Sequence, residues 1–72
     1  MSFREYRVTD EAVVRGREIG LYGATASRLS RAARRSAQYT GALGNRRFQD
    51  LVLTIEGDAV VWVNRLPLAD AA

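Results

Sequence analysis

The side chains of this chain that could do chemistry are, first of all, its arginines. The segment from Ala24 to Gln49 contains no acid and six arginines, namely Arg28, Arg31, Arg34, Arg35, Arg46 and Arg47. The part before it has four arginines against four acids, and the part after it has one against four, so the net charge of +3 divides into 0, +6 and −3. A guanidinium group can bind phosphate or carboxylate through two hydrogen bonds at once. The pattern therefore predicts a surface that meets an anionic partner.

Other reactive side chains are scarce. The chain has no histidine and no cysteine, and it therefore lacks the commonest general base, the commonest metal ligand and any thiolate site. We expect no metal and no cofactor. One enzymatic alternative stays open, a histidine-free ribonuclease in which Arg46 and Arg47 stabilise the reacting phosphate while Tyr39 transfers the proton.

The length of 72 residues indicates a single domain, with an ordered core over about 3–66 and a frayed tail over 67–72. A domain of this size buries only about 60% of the surface of its unfolded chain, so its stability margin is small. No apolar run approaches the roughly 20 residues that a membrane helix needs, and the first residues lack the apolar core of a signal peptide. We expect a soluble, cytoplasmic protein.

A helix is predicted from Thr25 to Tyr39, capped by Thr25 or Ser27, because its central stretch "SRLSRAARRSAQ" has no glycine, proline or β-branched residue. At 100° per residue, its apolar stripe consists of Ala26, Leu29, Ala33 and Ala37, with Ala32 and Ser36 at the edge. The opposite sector holds Arg28, Arg31 and Arg35, flanked by Arg34. Because the stripe is mostly alanine, the helix can lie close on a sheet, which must supply the bulk of the core.

The arginine side of this helix is the sharpest functional signal in the sequence. Like charges three or four residues apart repel each other, and a merely solvated helix surface usually mixes acids with bases. We therefore expect the helix to dock onto nucleic acid or a nucleoprotein complex, with an acidic protein surface as the second choice. No aromatic residue is interleaved with these arginines, so sequence-specific reading of single strands is not expected.

A β-hairpin is predicted from "RFQDLVLTIE" and "AVVWVNRL", joined by Gly57 and Asp58 as a type II′ turn. In that register the core face pairs Ile55 with Val60, Leu53 with Trp62 and Leu51 with Asn64. The other face pairs Thr54 with Val61, Val52 with Val63 and Asp50 with Arg65. Val52, Val61 and Val63 would then form an outer apolar cluster, a candidate interface for a homodimer or another protein partner.

The segment over residues 10–21 can be interpreted as helix or as strand. Gly16, Gly20 and Gly23 fall in or beside it, and each glycine costs a helix about 1 kcal/mol relative to alanine. We therefore favour a strand, after a first strand from Phe3 to Val8. The expected fold is α+β in the order ββαββ, an antiparallel sheet with one arginine-rich amphipathic helix across it.

From Ala26 onward, the helix "ASRLSRAARRSAQ" and the hairpin "FQDLVLTIEGDAVVWV" resemble small phage-borne proteins of the anti-CRISPR type. The resemblance covers about half of the chain, and the matching positions are Ser27, Leu29, Ala32, Arg34 or Arg35, Gly57 and Trp62. It implies a non-enzymatic inhibitor that binds the interference complex where guide or target nucleic acid would lie.

A second resemblance concerns "EAVVRGREIGL", which is similar to the H-A-x-x-R-x-x-x-R-G-I pattern of small toxin-like domains akin to BrnT and RelE ribonucleases. Glu11 stands where that pattern has histidine, and Ile19 stands where it has arginine. A helix over residues 10–20 would favour this alternative. Three hypotheses thus follow from the sequence: a nucleic-acid or nucleoprotein binder, a ribonuclease toxin, and a dimerising adaptor that uses the valine cluster.

Overall fold

A computed structural model of the chain describes residues 5–67. Its elements are β1 (Arg7–Val8), α1 (Asp10–Glu18), α2 (Thr25–Arg35), β2 (Ala37–Gln38), β3 (Arg46–Phe48), β4 (Leu51–Glu56) and β5 (Ala59–Arg65). The strands form one sheet in the order β1-β5-β4-β3-β2, with β1 parallel to β5 and every other pair antiparallel. The α+β class is as predicted, but the ββαββ order is wrong. The predicted strand start at Phe3 and residues 68–72 of the predicted frayed tail (67–72) lie outside the described residues.

The main correction concerns residues 10–21, which form helix α1 and not a strand. The Thr9 hydroxyl accepts a hydrogen bond from the backbone N–H of Ala12 at 3.2 Å and so caps the first turn. At the other end, Leu21 N–H donates to Gly16 C=O at 2.8 Å and Gly20 N–H donates to Arg17 C=O at 3.1 Å. This is a Schellman motif, and it requires the left-handed φ of +96° found at Gly20. Only Gly16 of the three glycines lies inside the helix.

Gly16 lies where α1 crosses α2. A Cβ atom added at Gly16 would stand only 2.7 Å from Cγ2 of Thr25. Thr25 is itself buried, and its hydroxyl donates to the carbonyl of Leu21 at 2.6 Å. The glycine therefore lowers helix propensity but permits close contact between the helices, which share one hydrophobic core with the sheet: Ala12, Leu21, Leu29, Ala32, Ala33, Leu53, Val60 and Val63.

Helix α2 is shorter than predicted and begins differently. Its N-cap is Ala24, in a left-handed conformation without a side-chain hydrogen bond, and neither Thr25 nor Ser27 caps it. It ends at Arg35, because Ser36 is extended and donates its hydroxyl to Ala33 C=O at 2.6 Å. Its buried residues are Thr25, Leu29, Ala32 and Ala33, whereas Ala26 and Ala37 of the predicted stripe are exposed.

The hairpin of β4 and β5 follows the prediction at its turn and departs from it two residues later. Gly57 has a φ of +64°, as a glycine-first turn requires, and Ile55 pairs with Val60 as predicted. Val61 is then an extra residue in a β-bulge, so that Thr54 pairs with Trp62 and Leu53 with Val63. Val63 consequently lies in the core, and Trp62 is 39% exposed. The prediction of a core tryptophan is wrong.

The predicted outer cluster of Val52, Val61 and Val63 does not exist as an exposed patch. Val63 belongs to the core beneath the helices, and Val52 is fully buried on the other face of the sheet. There the β2–β3 loop covers Val52: a Cβ atom added at Gly44 would lie 2.8 Å from its Cγ1. The Asn64 side-chain N–H donates to Leu43 C=O at 2.9 Å and so ties this loop to β5. The structure therefore does not bring Val52, Val61 and Val63 together on one exposed face.

The helix crossing gives a stability prediction. Gly16→Ala should destabilise the fold by roughly 1–3 kcal/mol, because overpacking against Thr25 outweighs the better helix propensity. Thr25→Ser removes only the opposing methyl group, so the double variant should recover most of the loss in a double-mutant cycle of urea midpoints. A stabilising Gly16→Ala would contradict the close crossing.

Candidate anion-binding surface

The surface that we call the arginine face is formed by Arg28, Arg31, Arg34 and Arg35 of α2. All four residues are exposed, and none makes an ion pair with a carboxylate of residues 5–67. Arg28 donates from Nη1 to the carbonyl of Tyr22 at 2.8 Å, which directs its side chain and leaves other donors available. Within the described residues, the other three make no side-chain hydrogen bond.

Three of the acids among residues 5–67 have basic partners, and none of these partners belongs to the arginine face. Ion pairs join Arg7 to Asp58 at 3.2 Å, Arg15 to Glu18 at 3.5 Å and Arg65 to Asp50 at 3.4 Å. The last pair was predicted, although the bulge places Arg65 opposite Leu51 in the strand register. These surface pairs contribute little stability each.

The helical geometry places three of the four arginines in one line. Arg28, Arg31 and Arg35 fall within a sector of about 60°, and their positions span about 10.5 Å along the axis. Arg34 lies outside this sector, next to Arg31 around the helix. A strand of linked phosphates running along α2 could therefore meet three guanidinium groups in succession.

Arg46 and Arg47 are not part of this face. Arg46 is half-buried and donates to Ser36 twice, from Nε to Oγ at 3.0 Å and from Nη2 to the carbonyl at 2.6 Å. It thereby ties β3 to the end of α2. Arg47 pairs with Val52 and so lies on the sheet face away from the core helices, where its Nε donates to Gln49 C=O at 2.8 Å.

The arrangement proposed for catalysis is not assembled. The ring of Tyr39 lies against Gly41, and no hydrogen bond joins Tyr39 to Arg46 or Arg47. Because Arg46 and Arg47 alternate along β3, they face opposite sides of the sheet.

A notch adjoins the arginine face, and no local signal in the sequence indicates it. It has a volume of about 170 Å³ and is lined by Leu21, Arg28, Arg31, Ala32, Phe48, Gln49 and Leu51. Phe48 and Leu51 pair across a two-residue turn, in which Gln49 has a left-handed φ of +55°. A non-glycine residue in this region costs on the order of 1–3 kcal/mol. Phe48 is seventeen or more residues from Arg28 and Arg31 in the chain, so only the tertiary fold brings them together.

Arg15 forms a different kind of contact, on the acidic side of the molecule. It donates from Nε to Val63 C=O at 3.1 Å and from Nη2 to Asn64 Oδ1 at 2.8 Å, and its guanidinium lies 5.2 Å from the centre of the Trp62 ring. Arg15 therefore links α1 directly to the part of β5 that follows the residues paired with β1. The groove beside it, of about 280 Å³, is lined by Asp10, Glu11, Val14, Arg15, Glu18 and Trp62.

Comparisons with protein-family models, with curated proteins and with solved structures find no match to this chain. Within residues 5–67, no three acidic side chains come close enough together to hold a metal ion. No helix in the same range is both long and apolar enough to cross a membrane. The functional inference therefore depends on the geometry of the arginine face.

The Arg15 contacts predict that this position distinguishes arginine from lysine. Arg15→Lys should lower the free energy of unfolding by about 1–2 kcal/mol, since an ammonium cannot serve both acceptors and cover the ring. The emission of Trp62, the single tryptophan, should shift as well. Arg17→Lys, at an exposed position of the same helix, is the matched control and should change neither. Equal effects of the two substitutions would show that Arg15 is a solvated residue.

Proposed function

We propose that this protein is a non-enzymatic binding protein that docks the arginine face of α2 onto nucleic acid or a nucleoprotein complex. The supporting observation is the set of four exposed arginines on one helix without a carboxylate partner among residues 5–67. Repulsion between like charges three or four residues apart costs about 0.2–0.5 kcal/mol per pair. Several such pairs lower the stability of a small domain, and bound phosphates would reduce the repulsion between the arginines.

A purely structural explanation covers only part of the arginine face. Cations in the last turn of a helix interact favourably with its dipole, and this accounts for Arg34 and Arg35. It does not account for Arg28 and Arg31, which lie outside the last turn of α2. Arg28 and Arg31 are therefore the diagnostic residues.

The resemblance to anti-CRISPR-type proteins makes a nucleoprotein machine a specific form of this proposal. In that form, α2 would occupy a path along which the guide or target strand normally runs. The arginine face would then contact the phosphates, while the protein component of the machine would supply the specificity.

A ribonuclease remains the second candidate, because one observation favours it. Residues 10–18 are helical, as expected for the pattern shared with BrnT- and RelE-like domains. Against it, Arg46 is engaged with Ser36, and Arg47 is turned to the other sheet face. A ribonuclease would lose cleavage on substitution of one arginine while keeping its affinity, because a group aimed at the transition state contributes mainly to rate.

Salt dependence tests the binding proposal. If three or four arginines of the face each neutralise a phosphate, the slope of log K against log salt should be roughly −2 to −3.5, from about 0.7–0.9 per phosphate. Arg28→Ala and Arg31→Ala should each reduce that slope by nearly one unit, as measured by fluorescence anisotropy with a labelled oligonucleotide. Thermal stability should hold or rise in Arg31→Ala, since like-charge repulsion is relieved.

Arg17→Ala and Arg47→Ala remove the same charge from exposed positions outside the arginine face and serve as controls. Both should leave the slope close to that of the parent protein. If all four substitutions lower the slope equally, the binding is a response to net charge, and α2 is not a docking surface.

A further inference from the structure

We infer that the notch beside the arginine face binds one unstacked base of a single-stranded nucleic acid, with the adjoining phosphates on Arg28 and Arg31. This inference rests on the proposed function and specifies the class of nucleic acid that the face would take. The observation behind it is the composition of the notch, in which apolar walls stand directly next to two cationic rim residues.

The walls and the rim suit different parts of one nucleotide. Leu21 and Ala32 are buried, so the apolar surface offered to a planar ring comes mainly from Phe48 and Leu51, which are half-buried. Arg28 and Arg31, one helical turn apart, are exposed at the rim. A free phosphate or a carboxylate would use the two guanidinium groups but leave the apolar walls in water. A nucleotide within a strand uses both.

Gln49 adds a polar group at the same place. Its side chain is exposed at the notch, and an amide offers both a donor and an acceptor to the edge of a base. Gln49 also occupies the left-handed φ of +55° in a two-residue turn, where glycine would be free of strain. Strain of this kind clusters at ligand-binding sites.

The geometry discriminates between single strands and duplexes. In a duplex the bases are stacked and paired, so only phosphates can reach the arginine face, and the notch stays empty. In a single strand one base can leave the stack and enter the notch. Stacking of a base on an aromatic side chain is sequence-tolerant, so the preference should be for single-strandedness and not for one sequence.

The test compares three labelled oligonucleotides of equal phosphate count by fluorescence anisotropy at one salt concentration: a single strand, a blunt duplex and a single strand of abasic sites. The single strand should bind roughly 10-fold more tightly than either of the others, in line with the contribution of one stacked base. Equal affinity for all three would overturn the inference while leaving the proposed function intact. Absence of salt-dependent binding to any of them would remove both.

Two variants connect the preference to the notch. Phe48→Leu keeps an apolar side chain for the core but removes the ring, and it should lower single-strand affinity toward the duplex value without changing duplex affinity. Gln49→Gly should raise the melting temperature, because it removes the backbone strain of the left-handed φ at this position, but it should weaken single-strand binding. If Gln49→Gly is more stable and binds the single strand unchanged, and Phe48→Leu weakens both oligonucleotides equally, the notch is not a base site.

Discussion

The close crossing of α1 and α2 at Gly16 is the contact on which the rest of the structure depends. With no side chain at Gly16, the methyl group of Thr25 can lie against the α1 backbone, and both helices fit onto one face of the sheet. The small residues Ala32 and Ala33 then keep α2 close to the strands, and the bulk of the core comes from Leu29 and the sheet. Because the side of α2 that carries Leu29, Ala32 and Ala33 is buried in this core, its arginines face solvent.

The fold divides the charge of the chain in space as well as in sequence. The groove between α1 and Trp62 is rimmed by Asp10, Glu11 and Glu18, whereas the arginine face of α2 carries only positive charge. An anionic partner would be attracted to α2 and repelled by the three carboxylates of the groove, which would orient its approach before contact. The net charge of +3 understates this polarity.

Local signals in the sequence predicted the elements that depend on local interactions. The α2 periodicity and the glycine-first turn at Gly57 were sufficient to locate the helix and the hairpin. The bulge at Val61 could not be foreseen, and it places Trp62 and Val63 on the faces opposite to those predicted. The glycines of α1 have two different roles. The crossing at Gly16 exists only once α2 is in place, so the sequence does not indicate it. The Schellman end at Gly20 is a local signal for the end of a helix, and the prediction counted it against a helix instead. Like the crossing, the notch exists only in the tertiary fold, because it needs Phe48 from a distant strand, so the sequence located the arginines of α2 but not the notch.

Mapping of amide chemical shifts tests the central claim, that α2 is the docking surface, most directly. The isotope-labelled protein would be titrated with a short single-stranded oligonucleotide at low salt. The predicted shifts concentrate over residues 28–35 and 48–51, while residues 10–18 and the Trp62 indole stay in place. Shifts centred on α1 and Trp62, or spread evenly over the surface without a maximum on α2, would contradict the claim.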